Sequence, residues 1–324
     1  MTQEALSGML AGALAAGALL ALLGGALAGL VPSEHPLGPV ARILDSLAPW
    51  LLGAAMVLAI GAALFGLRGV GAGLAVLAAL AGAQLALGHR ALSLPLTPER
   101  APDLRILFFN AYEENTTDPA RIVAAAQETG ADIIVFAEAE MLRPALPALA
   151  ETHEILTPCP PTTECELMIA SRVPVTRSWT LTLNPIWADR YGVVQLSLPD
   201  GRAVSLAAAH LVKPFFTGVA EAELARLTAQ YEWLDGPVLA VGDFNAAPWS
   251  RPVRQVLETT GFRALRRPPG TWPAGAGRWG IPIDQAHVAG GLRVTGVTAF
   301  GAGLGSNHRG LILEVHVPPE DAAD

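Results

Sequence analysis

The sequence predicts an α+β domain with packed sheets, carried behind three transmembrane helices. Charge is the first observation behind this reading. Of 21 Lys and Arg and 29 Asp and Glu, only Arg42, Arg68, Arg90, Glu4, Glu34 and Asp45 fall within residues 1–95. The rest of the chain holds 18 basic and 26 acidic groups, a net of −8. The low overall charged fraction, 15 % against about 25 % for an ordinary soluble domain, is therefore a property of the front of the chain. The second observation is that this front consists of long uncharged apolar stretches. The third is that residues 96–324 read as many short apolar runs with few helical segments, the pattern of packed sheets. Together these exclude a wholly soluble chain, a disordered chain and a broadly basic nucleic-acid coat protein. The soluble part is long enough to bury a substantial core.

Residues 5–31 carry no charge, and at about 1.5 Å per residue a helix of that length exceeds a hydrocarbon layer of about 30 Å. Residues 48–67 and 69–88 are two further uncharged stretches separated by Arg68 alone, which reads as a tight helical hairpin. A secretory signal peptide is the alternative for the first stretch. Against it, MTQE lacks Lys and Arg, the apolar run is too long, and two more spans follow. Residues 1–95 are read as a membrane anchor and 96–324 as the soluble domain. Gly8, Gly12 and Gly17 offer small-residue steps for helix packing, although in an alanine-rich segment they also read as plain composition.

Two signals on orientation conflict. Arg42, Arg90, Arg100 and Arg105 flank one side of the spans and Arg68 the other, which favours a cytoplasmic soluble domain. The only two cysteines, Cys159 and Cys165, stand in CPPTTEC, a short loop that suits a disulfide and an oxidising compartment. Reduced thiols and a metal pair are the alternatives. The disulfide, and with it an exoplasmic domain, is the reading adopted.

Beyond a linker with Pro95, Pro98 and Pro102, residues 105–109 (RILFF) have the length of a buried strand. Asp118-Pro119 then reads as an N-cap followed by proline in the first turn, opening a helix that runs to Thr129 and ends at Gly130. Residues 132–137 (DIIVFA) form a second strand, and 167–170, 193–198, 203–209 and 237–241 continue the series. Residues 221–234 form an intervening helix, and 283–288 and 311–315 are late strands.

Polar groups recur where these runs end. RILFFN closes on Asn110, DIIVFAE on Glu138, SLAAAH on His210, and PVLAVGDFN on Asp243 and Asn245. IPID brings Asp284, and GSNH brings Asn307 and His308. Each alone is an ordinary turn former or a satisfied histidine. Repeated at six strand ends, they suit metal-assisted phosphoester hydrolysis. A hard cation such as Mg²⁺ takes oxygen ligands, here from Glu138 and Asn110. Asp243 orients or deprotonates a water, Asn245 bonds a phosphate oxygen, and His210 and His308 stabilise developing charge. Asp284 fixes the orientation and protonation of a histidine. A serine hydrolase is disfavoured because G-x-S-x-G is absent, and no HExxH or CxxC supports zinc chemistry.

The pieces FFN, VFAE, ELMIASRVPV, AAAH, VGDFNAAPWS, TWP with IPID, and SNH resemble, in order and wording, the endonuclease/exonuclease/phosphatase superfamily over roughly residues 103–317. GDFN followed by APWS is the most specific of them. With TWPA and the apolar front, the chain looks most like the bacterial membrane-anchored branch, and a loop cysteine pair before the ASRVP strand fits it too. The resemblance implies a four-layer α/β-sandwich with two facing mixed sheets and the site at one end. It implies Asn110, Glu138 and Asn307 at Mg²⁺, with Mn²⁺ as a substitute. Asp243 and Asn245 would act on the nucleophilic water and phosphate, His210 on the phosphate, and Asp284 and His308 as a carboxylate–histidine pair. Two departures stand out. The family usually reads Ser-Asp-His where this chain has Ser306-Asn307-His308, and Tyr112 stands near where some nuclease members carry an acidic ligand. Both weaken the expected cation site.

The expected activity is hydrolysis of a phosphodiester, nucleic acid or phospholipid, at a bacterial inner or plasma membrane, with the domain on the periplasmic side. Arg251, Arg254, Arg263, Arg266, Arg267 and Arg278, with Trp249, Trp272 and Trp279, suit a nucleic-acid backbone or a lipid head-group surface; a solvated face with packed tryptophans is the bland alternative. The net −8 argues against tight, extended duplex binding. A catalytically weakened phosphate- or lipid-binding module on the same fold is the rival reading, supported by Asn307. A transporter is disfavoured because the spans contain no intramembrane charge.

Overall fold

The computed structural model describes residues 2–157, 159 and 164–319, which divide into two compact units. One comprises residues 1–91 with 214–218 and 246–254; the other comprises 92–213, 219–245 and 255–324.

In the first unit, α1 (Gln3–Leu27) continues into a short 3-10 turn, and α2 (Gly38–Ser46), α3 (Ala48–Leu64) and α4 (Arg68–Ala91) follow. Among the described residues, two helices, Gln3–Leu30 and Arg68–Ala91, are long and apolar enough to cross a membrane. A third span results only if α2 and α3, bent by 77° at their junction, count as one. The sequence reading placed α3 correctly but missed α2, whose nine residues mix Arg42 and Asp45 with an apolar stripe. Leu22, Leu52, Ala55 and Ala78 form the shared core of these helices. Gly8 and Gly12 face no neighbour, so there composition is the answer. Close packing occurs instead at Gly71, where a Cβ would meet the Ala59 carbonyl at 2.5 Å, and at Gly25, where it would meet Leu52 at 2.9 Å.

Among the described residues, the second unit contains thirteen strands in two mixed sheets. They are β1 (Ser93–Leu94), β2 (Leu104–Asn110), β3 (Ile133–Ala137), β4 (Glu154–Ile155), β5 (Leu167–Ser171), β6 (Val175–Leu181) and β7 (Tyr191–Ser197). β8 (Ala203–His210), β9 (Val238–Asp243), β10 (Arg263–Leu265), β11 (Asp284–Ala289), β12 (Arg293–Phe300) and β13 (Gly310–His316) complete the set. One sheet runs β1-β10-β11-β9-β8-β7-β6, the other β12-β13-β2-β3-β5-β4.

Side-chain alternation explains the layering. Ile106, Phe108, Ile133 and Val135 join Val194, Leu206, Leu239 and Val241 in the core between the sheets. The intervening Leu107, Phe109, Ile134 and Phe136 face the other way, onto Ile122, Val123 and Ala126 of α5 (Pro119–Glu128) and Leu149 of α6 (Leu146–Ala150). Asp118 caps α5 as expected, its Oδ1 accepting from the Ala120 N–H at 3.0 Å, and Gly130 has φ +67°. On the remaining face, α7 (Val219–Glu232) buries Leu227 and Tyr231, the latter stacked on Phe262 at 4.4 Å.

The missed strands have a common cause. β6 (VTRSWTL) is an edge strand with no buried residue, and β12 (RVTGVTAF) mixes polar residues and a glycine, so neither shows an apolar run. β1, β4 and β10 are two or three residues long.

Parallel β8 and β9 approach so closely at Gly242 that a Cβ there would lie 2.2 Å from the Ala209 carbonyl oxygen. Gly242→Ala is therefore expected to destabilise the fold by about 1–3 kcal/mol or more, by forcing the two strands apart. Urea unfolding of the purified variant checks this.

Candidate active site

The expected residues gather at one end of the two sheets, and register is what aligns them. His210, the last residue of β8, pairs with Asp243, the last of β9, and Asp243 pairs in turn with Asp284, the first of β11. In the other sheet, Asn110 ends β2 opposite Ala137, and Glu138 follows at φ +49°. The loop ahead of β13 supplies Ser306, Asn307 and His308.

Asp243 Oδ2 is the meeting point. It lies 3.1 Å from Asn110 Nδ2, 3.7 Å from His308 Nε2 and 4.0 Å from His210 Nε2. Asn110 Nδ2 also donates to Glu138 Oε1 at 3.0 Å, and His210 Nε2 is 3.7 Å from that oxygen. His308 Nδ1 faces Asp284 at 2.9 and 3.2 Å. Asp243, Asp284 and His308 are all buried and present ligand-type atoms within 4.8 Å of one another.

Asn110 departs from what is expected of a metal ligand. Its Oδ1 accepts from the Tyr112 N–H at 2.9 Å, so its amide presents NH₂ to both carboxylates. Asn245, also at positive φ, donates Nδ2 to the Leu211 carbonyl at 2.7 Å and its backbone N–H to Asp243 Oδ1 at 2.8 Å. It thus ties the ends of β8 and β9 and retains one side-chain N–H for a ligand. Asn307 Oδ1 is buried and accepts no hydrogen bond from the described residues. Such an oxygen, with the Glu138 carboxylate, suits a hard divalent cation, so the donor set fits the metal that the sequence implies.

Three positioning groups escaped the sequence reading. Glu166 Oε2 lies 3.3 Å from His210 Nδ1, while its Oε1 receives Arg190 at 2.5 Å. Glu166 precedes a strand, β5, whereas the residues that the sequence marks follow strands. Ser306 Oγ donates to the Asn110 carbonyl and accepts the His308 N–H, pinning the SNH loop to β2. Thr271 Oγ1 accepts from the Ile283 and Asp284 N–H groups, which gives the threonine of TWP its place.

Burial and charge set the protonation states. Burial alone would lower the His308 pKa, but the Asp284 and Asp243 charges and the Asp284 hydrogen bond outweigh it and raise it to about 9. Burial, reinforced by the Asp284 charge, pushes Asp243 up despite the two histidines. Glu138 is half-buried, which alone would raise it, yet the Glu113 N–H, the His210 charge and the Asn110 amide hold its carboxyl below the usual range. Glu166 is likewise held down by His210 and Arg190 against its burial.

His308 therefore binds its proton more tightly folded than unfolded. Its stabilising contribution is whole below about pH 6.5, the ordinary histidine value, and is lost as pH rises through 9. Melting temperature measured with a chelator present is expected to fall across that window, and Asp284→Asn to flatten the fall.

The cysteines are joined as a disulfide, Cys159–Cys165. The residues between them, apart from Glu164, lie outside the described set. The arginines noted in the sequence are largely engaged: Arg251, Arg263 and Arg266 donate to the Gly29, Phe262 and Ser93 carbonyls, and Arg278 lies over Trp279 at 5.0 Å. Trp272 and Trp279 are exposed.

Two mixed sheets thus carry carboxylates, amides and histidines together at one end. The Endonuclease/Exonuclease/phosphatase family profile matches residues 107–308, from β2 to the last histidine of the cluster, and the chain belongs to this family. Among solved structures, the fold is similar to D. rerio TDP2 complexed with single-strand DNA product, with a TM-score of 0.55 at 16 % identity, covering 66 % of this chain and 99 % of that one. It is similar to an endonuclease/exonuclease/phosphatase family protein from Bacteroides thetaiotaomicron, TM-score 0.54 at 13 % identity, over 67 % and 98 % of the two chains. It is also similar to sphingomyelinase C from Streptomyces griseocarneus, TM-score 0.50 at 18 % identity, over 65 % and 98 %. No curated protein sequence matches the chain significantly.

Proposed function

We propose that the protein is a membrane-anchored, Mg²⁺-dependent phosphodiesterase whose substrate is a nucleic acid or a phospholipid. The observation that carries this is the convergence of Asn110, His210 and His308 on one buried carboxylate oxygen of Asp243, with Glu138 beside them. Glu138 and Asn307 would hold the cation, with Asn110 orienting the carboxylates. When bound, Mg²⁺, or Mn²⁺ in its place, supplies charge neutralisation at the phosphate oxygens.

The chain's own groups then divide the work. Asp243, its pKa raised by burial, accepts a proton from the attacking water. As that oxygen bonds to phosphorus, the P–O bond to the leaving group breaks, and the leaving oxygen is protonated from solvent. His308, raised to about 9, is an imidazolium at neutral pH and serves as a charge stabiliser for the phosphorane-like transition state. Asp284 holds its ring, Glu166 holds that of His210, and the remaining N–H of Asn245 binds a phosphate oxygen. The disulfide favours an exoplasmic, periplasmic domain.

Incubating the full chain in detergent with plasmid DNA, single-stranded DNA, and sphingomyelin or phosphatidylinositol mixed micelles, with Mg²⁺ or Mn²⁺, tests this. Metal-dependent cleavage of one class assigns the substrate. Stoichiometric binding of phosphate or lipid with no cleavage of any of them would overturn the enzyme reading and leave a binding module.

A further inference from the structure

α2 was not predicted, and its polar residues have an unusual use. Arg42, Asp45 and Ser46 stand at i, i+3 and i+4, on one face of the helix. Asp45 and Ser46 are buried, at 8 % and 6 % exposure. Each of the three holds one of the two outlying segments of the helical unit. Arg42 donates to the Pro214 carbonyl at 2.8 Å. Ser46 Oγ accepts the Ala247 N–H at 3.1 Å, and its carbonyl accepts the Trp249 indole N–H at 3.0 Å. Asp45 Oδ2 accepts the Arg251 N–H at 2.6 Å, in the first turn of α8 (Arg251–Thr260). Trp249 also packs on Trp50 of α3 and His89 of α4, with ring centroids 5.7 and 6.0 Å apart. Gly29 is tight for the same reason: a Cβ there would lie 2.8 Å from the Asp45 carboxylate.

These two segments are not arbitrary pieces of chain. Residue 246 follows Asn245 directly, and Pro214 comes four residues after His210. The segment held by Asp45 and Ser46 is therefore the covalent continuation of GDFN, whose Asn245 sits at φ +49° and bonds Asp243 and Leu211. A non-glycine residue at positive φ persists only where its surroundings over-determine it. The bonds to Asp243 and Leu211 constrain it from one side, and the grip on Ala247, Trp249 and Arg251 constrains the chain leaving it.

We propose that Asp45 and Ser46 are positioning residues for the active site: by holding residues 247–251 they fix the chain leaving Asn245. This rests on the phosphodiesterase reading for its kinetic consequence, but its structural part stands apart from that reading. An apolar anchor needs no buried carboxylate. One that grips a backbone N–H of the loop following two site residues has a use that anchoring alone does not supply.

The test uses the full chain in detergent micelles with bis(p-nitrophenyl) phosphate and Mg²⁺ or Mn²⁺. Asp45→Ala, Ser46→Ala, the conservative Asp45→Asn and a His308→Ala control are compared, and amide hydrogen exchange is followed at Asn245, Ala247 and Arg251. Asp45→Ala is expected to lower kcat by about 10- to 100-fold, the order that misplacing a site group by up to about 1 Å costs, with KM nearly unchanged. Exchange at Arg251 and Asn245 should quicken together. Asp45→Asn keeps an acceptor oxygen and should restore both. Ser46→Ala removes one acceptor from a helix that tolerates alanine, so it reports on the same loop even if Asp45→Ala does not fold. Unchanged kcat in the Asp45 and Ser46 alanine variants despite faster exchange at Ala247 and Arg251 would overturn the proposal, as would unchanged exchange at Asn245. A wild type that shows no turnover would instead count against the phosphodiesterase reading, and exchange at Asn245 would still decide whether α2 positions the loop.

Discussion

His308→Ala is expected to lower kcat for phosphodiester hydrolysis by about 10³-fold, with a smaller effect on KM. The imidazolium sits 3.7 Å from Asp243 Oδ2 and 2.9 Å from Asp284, where burial makes its charge effective. Losing one pre-aimed cation from a site where negative charge develops costs about 10²–10³-fold. A second loss follows from the carboxylates: without the histidine, Asp243 and Asp284 face each other in a buried site, and one of them is driven to take up a proton. A protonated Asp243 cannot accept the water's proton, so the two losses compound. Rates measured across pH separate them, because raising the pH recovers only the part that comes from Asp243 protonation.

Glu138→Gln is the second large effect, and it falls on the metal. The substitution keeps the length of the side chain, so the strained turn at φ +49° and the bond from Asn110 survive while the charge is lost. Removal of an outer-shell partner costs about 10–100-fold in metal affinity, and removal of a ligand charge should cost more. The expected result is an apparent Mg²⁺ affinity at least about 100-fold weaker, with part of the rate recovered at high metal concentration. Asn307→Asp is the informative opposite. It restores the charge that the family usually carries there, and it should tighten the metal if Asn307 Oδ1 is aimed at the cation. Calorimetric titration of Mg²⁺ into both variants measures the two shifts.

The legible parts of this protein are those where one apolar run ends on one polar residue. β2, β3, β8 and β9 could be read that way, and register does the rest: once β8, β9 and β11 pair in order, His210, Asp243 and Asp284 must stand side by side. Glu166 was illegible because it leads a strand, and nothing in CELMIAS marks it as the partner of a histidine 44 residues later. The orientation of Asn110 was illegible because an amide offers both donor and acceptor, and only the Tyr112 N–H decides which end meets the carboxylates. α2 was missed for a third reason. Its nine residues lie between two apolar spans, and Arg42 and Asp45 read as loop charges until the chain that they hold comes into view.

The most direct measurement of the central claim is the initial rate of bis(p-nitrophenyl) phosphate hydrolysis by the full chain in detergent, titrated with Mg²⁺ and repeated with Asp243→Asn. The account predicts a rate that rises and saturates with the metal, disappears with chelator, and falls by about 10³-fold or more in the variant, which lacks the proton acceptor at the meeting point of the site. A metal-saturated, folded wild type with no rate above the Asp243→Asn background would contradict it.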